Sequence, residues 1–267
     1  MFKKLKKIFR VLFPINFMSN EYFEKTIQLK PKYESHTKVD GVYFVKFNST
    51  ISIAMRDFTH SDMMVYDQVF IREEYKIVLE LLKQSNTKVH NIIDAGCNVG
   101  YTSLYFAKNL INTNIISIEP SPENARVVAK NVELNNLQKS ISIMEMAISE
   151  DSKKRFDNSQ DFRDKMDWAN TTIENSNGQV SSITINEIIL RENWEYVDFL
   201  KIDIEGYEKE LFKSTSNKDF LKKTKIIAIE VHEDVMLKNE MESILISYNF
   251  LTFNSGELTI GLNKSFI

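Results

Sequence analysis

The segment NIIDAGCNVGYTS (91–103) constrains this chain more than any other. A short apolar run ends at Asp94, a glycine-containing turn follows, and a helix-forming stretch begins near Tyr101. In an open α/β sheet a ligand sits beyond the carboxyl ends of the strands, so this turn stands at the expected place. Gly96 and Gly100 let backbone approach a ligand closely, and the N–H groups of the following helix can receive an anion. The spacing Gly96-x-x-x-Gly100 is not the G-x-G-x-x-G that cradles a dinucleotide pyrophosphate.

From residue 91 onward, short apolar runs alternate with helical stretches. Strands are expected at 91–94, 115–119, 141–146, 197–203 and 226–231. Helices are expected at 102–110, at 207–213, at 234–248, and from the Ser121 N-cap with Pro122 at the first helical position to about residue 135. The chain ends differently: 250–253 and 258–262 flank a turn through Asn254, Ser255 and Gly256, which reads as a hairpin. The fold class implied is α/β, a Rossmann-like, mostly parallel sheet with helices on both faces and a C-terminal antiparallel hairpin. Residues 91–267 form this domain. Residues 21–90 read as an extension, with a strand pair over 43–55 turning near Asn48-Ser49. A helical stretch follows over 65–83, with apolar residues at Val69, Ile77, Leu81 and Leu82. The polar stretch 151–180, with Phe156, Phe162 and Trp168 scattered through it, reads equally as a flap over a pocket and as a surface hairpin.

Glu119 ends the second strand, 19 residues past Gly100. A carboxylate there can accept both hydroxyls of a ribose. Asp94 suits a cationic amino-acid moiety. With no pyrophosphate motif, the two acids together indicate S-adenosylmethionine (AdoMet). Cys97 and Pro120 lie within the same two turns and complete the expected cofactor contacts; Cys97 reads as a small packing residue, not a nucleophile.

Two further strand ends carry chemistry. Asp203 and Glu205 project to one side of extended backbone after 197–203. A hydroxyl is a poor nucleophile until it loses its proton, so either carboxylate is a candidate general base. The alternative is that Glu205 and Glu208 only favour the N-terminus of the following helix. Glu230 and His232 share a face at the end of the fifth strand. They are further candidates, His232 as a base or, less favoured, as a ligand of a divalent ion shared with Asp203 and Glu230.

The segments IIDAGCNVGYTS, IEPSPEN, MAISED (146–151) and VDFLKIDIEGYEKELF (197–212), with HSDMMVYDQVFIREEY (60–75) before them, resemble the FkbM family of methyltransferases. The likeness spans roughly 42–263, and KIDIEGYE is its most specific part. It implies a class I methyltransferase core and O-methylation of a sugar or another hydroxylated metabolite. It also implies a cofactor site of Asp94, Gly96, Asn98, Gly100, Glu119 and the Ala147-Ile148 backbone, the last pair beside the adenine. The chain departs from the family in having Cys97 where Ala is frequent, and Ile185-Asn186 where Leu-Asp is. Rival readings are an NAD-type oxidoreductase, and a non-catalytic AdoMet-binding or membrane scaffold protein.

Composition narrows the partners. The net charge of −3 gives no basic excess for nucleic acid, and a small-molecule or glycan acceptor is what the family resemblance implies. One cysteine allows no intrachain disulfide, which fits a reducing, cytoplasmic setting. Residues 1–20 form a separate basic amphipathic segment. Phe2, Leu5, Ile8, Phe9, Leu12 and Phe13 recur at helical spacing, with Lys3, Lys4, Lys6, Lys7 and Arg10 between them and Pro14 ending the pattern. This interleaving suits an interfacial helix on the inner face of a membrane better than a signal peptide. Its five basic residues can contribute roughly 5 kcal/mol of attraction to an anionic surface. The full-length protein is therefore expected to sediment with anionic liposomes and to be released by salt. Failure to bind at low salt would leave residues 1–16 a packing or tail segment.

Overall fold

The computed structural model describes residues 19–266, except 49, 86, 89, 160–170 and 233–234. The basic segment over 1–16 therefore lies outside the described residues, as do Phe162 and Trp168. The extension carries helix α1 (Asn20–Gln28) and strands β1 (Tyr33–Val39), β2 (Val42–Phe47) and β3 (Ile51–Met55). These three strands form an antiparallel sheet in chain order. The expected pair is thus present. β1 was not expected, because YESHTKV is exposed along most of its length and shows no apolar alternation.

The anticipated helix over 65–83 is interrupted. α2 (Asp62–Tyr66) runs into a π-helical turn at Asp67–Ile71, and Glu73 adopts a left-handed φ of 49° before α3 (Lys76–Gln84) begins. That break rotates the buried face of α3 to Val78, Leu79 and Leu82, leaving Ile77 42% exposed.

The main sheet uses β4 (His90–Ala95), β5 (Thr113–Ile118) and β6 (Ile141–Met144). After β7 (Ala147–Ile148), β8 (Arg155–Ser159), β9 (Thr171–Glu174) and β10 (Val180–Ile183) come β11 (Val197–Ile202), β12 (Thr224–Glu230), β13 (Phe250–Ser255) and β14 (Leu258–Asn263). The seven-stranded order is β13-β14-β12-β11-β4-β5-β6. β6, β5, β4, β11 and β12 are parallel, and β14 joins β12 antiparallel through the expected hairpin, which turns at Gly256-Glu257. Chain order reverses between β4 and β11, so the switch point that opens a ligand crevice lies between them.

Side chains alternate across the sheet, as period two requires. Ile92, Ile115 and Phe199 pack on one face with α3, α4 (Tyr101–Asn109), α5 (Pro122–Leu134) and the extension. Ile93, Ile116 and Leu200 pack on the other with α6 (Ile185–Arg191), α7 (Glu208–Phe212) and α8 (Lys238–Ser247). Residues 21–90 share the first of these cores. α5 starts as anticipated, Ser121 Oγ accepting from Asn124 N at 3.4 Å with Pro122 at the first position. α8 begins four residues later than the pattern implied.

The stretch 151–180 contributes to a second, four-stranded sheet, in order β7-β10-β8-β9. Phe156 is fully buried there, edge-on to Tyr207 at 5.3 Å.

Two amides bind the extension to the core. Asn131 Oδ1 accepts from Ala54 N (2.7 Å), and its Nδ2 donates to Val99 O (2.9 Å). One turn later, Asn135 accepts from Ser52 N (3.2 Å) and donates to Ser52 O (2.6 Å). Residues four apart on a helix and two apart on a strand have nearly the same spacing, about 6 Å, so α5 completes the open edge of β3. Replacing Asn131 by Ala strands buried groups at Ala54 and Val99. Unfolding in urea should show a loss of about 1–3 kcal/mol with unchanged m; an unchanged midpoint would reject this role.

Candidate active site

The turns after β4, β5, β6 and β11 converge on one cleft. Gly96, Asn98, Ile118, Glu119, Pro120 and Asn124 form one side, and Met146, Ala147, Ile148, Asp203, Ile204, Glu205 and Tyr207 the rest. The cleft is partly open to solvent.

Close packing shapes the first turn. Gly96 has φ +74°, and a Cβ there would stand 1.8 Å from the Asp203 carbonyl oxygen. Gly100 caps α4 at φ +80°, where a Cβ would meet Val128 at 2.8 Å. Gly100 therefore serves helix packing and is absent from the cleft lining. Cys97 is likewise buried beneath the turn, and burial pushes its thiol pKa well up, in keeping with a packing role.

Glu119 lies at the cleft as expected, but its oxygens are already engaged. Oε2 accepts from Asn98 N (2.9 Å); Oε1 accepts from Ser121 N (3.0 Å) and Asn124 Nδ2 (3.3 Å). A carboxylate has about four lone-pair sites, so roughly one remains for a ligand hydroxyl, not two. Burial pushes its pKa up to about 7 against the pull of these donors.

Asp94 does not face the cleft. Its Oδ2 accepts from Ser103 Oγ at 2.6 Å, and Oδ1 stands 3.3 Å from Lys201 Nζ. These partners, from α4 and β11, hold the buried side chain, which is not among the residues lining the cleft, although its Oδ1 has no hydrogen-bond partner among the described residues. Lys201 also donates to Gly96 O (2.6 Å) and stands 3.4 Å from Asp203 Oδ2. Burial disfavours the ammonium charge, but Asp94 and Asp203 outweigh it and hold the pKa well up.

Asp203 and Glu205 both line the cleft. Asp203 Oδ1 and Asn98 Oδ1 are buried and have no hydrogen-bond partner among the described residues. Glu205 takes a left-handed φ of 53°, a conformation uncommon outside glycine.

His232 is clamped. Nδ1 is 3.0 Å from Glu208 Oε1 and Nε2 is 3.2 Å from Glu205 Oε2. Burial lowers its pKa, but the two carboxylates outweigh that and raise it to about 11. Both ring nitrogens face carboxylates that favour the protonated ring, an arrangement that works against the expected general-base role. Glu205 is drawn upward by burial and by neighbouring Asp203 and Glu208, so the cluster retains protons. Glu230 ends β12, and Glu208, from α7, stands at Nδ1 of His232.

The sequence pattern assigns no role to Lys201, Asn124 or Tyr207, and to Glu208 only that of favouring a helix N-terminus. A lysine inside the apolar run VDFLKI, buried throughout in β11, was a usable signal, since a buried charge needs partners. Tyr207, inside the KIDIEGYE segment, is surrounded by Ser149, Glu150 and Lys154.

The sheet order and a cleft at the β4/β11 switch point define a Rossmann-like fold of the class I methyltransferase type. The profile of the methyltransferase FkbM domain matches residues 94–252, and the chain belongs to that family. It is similar to methyltransferase sdnD of Sordaria araneosa, 23% identical over 193 residues, covering 60% of this chain and 73% of that protein. Among solved structures it is similar to a methyltransferase FkbM from Methylobacillus flagellatus KT (13% identity, TM-score 0.45, 74% of this chain and 47% of that one). A precorrin-6y C5,15-methyltransferase from Geobacter metallireducens GS-15 also aligns (10% identity, TM-score 0.41, 71% and 85% coverage). Among the described residues, no helix is long and apolar enough to cross a membrane.

Lys201→Met removes the cation that Asp94 and Asp203 share. Breaking a buried pair from one side costs about 3–5 kcal/mol, and urea unfolding should show a loss of that order. A loss below about 1 kcal/mol, the scale of exposed pairs, would show that the two acids do not depend on it.

Proposed function

We propose that this chain transfers a methyl group from AdoMet to an oxygen of a sugar or another hydroxylated metabolite. The observation that carries this reading is the unpartnered Oδ1 of Asp203 in a cleft that also holds the unpartnered Oδ1 of Asn98. Asn98 Oδ1 can accept from the amino group that AdoMet brings, and Asp203 Oδ1 is left for the methyl acceptor. Met146, Ala147, Ile148 and Ile118 offer apolar surface for an adenine, and Glu119 has acceptor capacity left for one ribose hydroxyl. The residues present therefore fit the cofactor.

When bound, AdoMet supplies the methyl group: a C–O bond forms on the acceptor, and sulfur keeps the electron pair of the broken C–S bond. Lys201 engages Oδ2 of Asp203 and leaves Oδ1 for the acceptor's hydroxyl proton. His232, held as an imidazolium, fixes the Glu205 turn instead of taking that proton. Alignment of the acceptor contributes most, and a base adds about 10²–10⁴-fold. A small-molecule or glycan acceptor, and reversible membrane contact through residues 1–16, belong to the same proposal.

The test follows methyl label from AdoMet into a pool of glycans and hydroxylated metabolites. Asp203→Asn should lower turnover by about 10²–10⁴-fold while AdoMet still binds. AdoMet affinity should rise by about tenfold from pH about 6 to about 8, as Glu119 ionises and accepts the ribose hydroxyl. Near-wild-type turnover in the Asp203 variant would place the base elsewhere, and a flat pH profile would remove Glu119 from the ribose.

A further inference from the structure

We propose that Asp203, Glu205 and His232 form a binding site for a divalent cation beside the cofactor cleft. One ligand atom from each lies within 4.8 Å of the other two. They come from the ends of β11 and β12, which are adjacent and parallel, so the sheet itself holds two sides of the site in register.

The surroundings match what a metal-ligating histidine needs. Its second nitrogen is ordinarily held by a carboxylate, which fixes the ring and raises its basicity. Glu208 does this at Nδ1 (3.0 Å), and Glu208 Oε1 is itself anchored by Ile204 N (3.2 Å). The remaining nitrogen, Nε2, points to Glu205 Oε2 at 3.2 Å, where a metal would replace the shared proton. An independent observation points to a missing cation. Glu208 is fully buried, yet its Oε2 has no hydrogen-bond partner among the described residues, and Asp203 Oδ1 has none either. Lys201 does not supply the deficit, since Asp94 shares it.

One imidazole and two carboxylates suit Mn²⁺, Fe²⁺ or Zn²⁺ better than the all-oxygen preference of Ca²⁺ or Mg²⁺. Three protein ligands leave coordination positions open, as in catalytic sites. Resting on the methyl-transfer reading, this deepens it: an ion here favours an acceptor with two adjacent oxygens, such as a vicinal diol, over a lone hydroxyl.

The experiment uses the full-length chain stripped with EDTA and titrated with MnCl₂, free Mn²⁺ being read by electron paramagnetic resonance, with ZnCl₂ calorimetry in parallel. One saturable equivalent per chain is expected. Asp203→Asn and His232→Gln should each weaken it at least tenfold, and Glu208→Gln by about 10–100-fold through the ring it orients. Circular dichroism checks folding, and Glu205→Gln, on the cleft-side turn, substitutes for any variant that does not fold. No saturable binding of either ion by folded wild type at millimolar concentration, or binding unchanged in every folded variant, overturns the site. Calorimetry of AdoMet on the EDTA-stripped chain separates the two readings. AdoMet bound without an ion site leaves methyl transfer standing; an ion bound without AdoMet leaves the metal site standing.

Discussion

A single buried ammonium holds the centre of this molecule together. Lys201 sits inside β11, where every neighbour in sequence is buried, and meets Asp94, Asp203 and the Gly96 carbonyl. Burying one charge is costly unless it is paired and hydrogen-bonded, and here the partners come from the end of β4, the turn after it and the turn after β11. The cofactor turn after β4 and the candidate reaction centre after β11 are thereby linked at the point where the sheet changes direction. Gly96 tightens the same link, because any side chain there would strike the Asp203 carbonyl.

Around that centre, polar groups are arranged by what they lack. Glu119 spends most of its acceptor capacity on the backbone of its own and the neighbouring turn, so it organises the cleft as much as it can bind a ligand. His232 is the reverse case, a donor pinned between two acceptors. Between them, Asp203 and Asn98 keep unpartnered oxygens. Buried acceptors without donors are uncommon in folded proteins, and their grouping at one cleft is a physical argument for a ligand that brings donors or positive charge.

The extension is part of the same architecture. Its β3 edge is closed by amides of α5, and Arg56 from the end of β3 pairs with buried Asp62 (2.8 Å) and reaches Asn124 (2.9 Å) at the cleft. Asn124 in turn donates to Glu119. A continuous set of hydrogen bonds therefore joins the end of β3 to the cleft.

Local pattern was enough to show the alternating strands and helices, the Ser121-Pro122 helix start, the terminal hairpin, and the carboxyl-edge turns at Gly96, Glu119 and Asp203, whereas Ala147 came only from the family resemblance. Each follows from short-range chemistry: burial periodicity, caps, and the rule that ligands gather at strand ends. Side-chain direction at those ends was not legible, because it depends on what arrives from elsewhere in the chain. Asp94 turned under the loop because Ser103 and Lys201 were there to meet it, and His232 is drawn toward its charged form because α7 brought Glu208 to its ring. The break at Glu73 likewise escaped the apolar pattern, since the π-turn before it is set by packing on the core. Sequence alone determined which residues reach the cleft edge, and tertiary structure decided which of them carry charge, which are spent on the backbone, and which are left free. Protonation and pairing are properties of neighbours in space, and that proximity exists only once the sheet has formed.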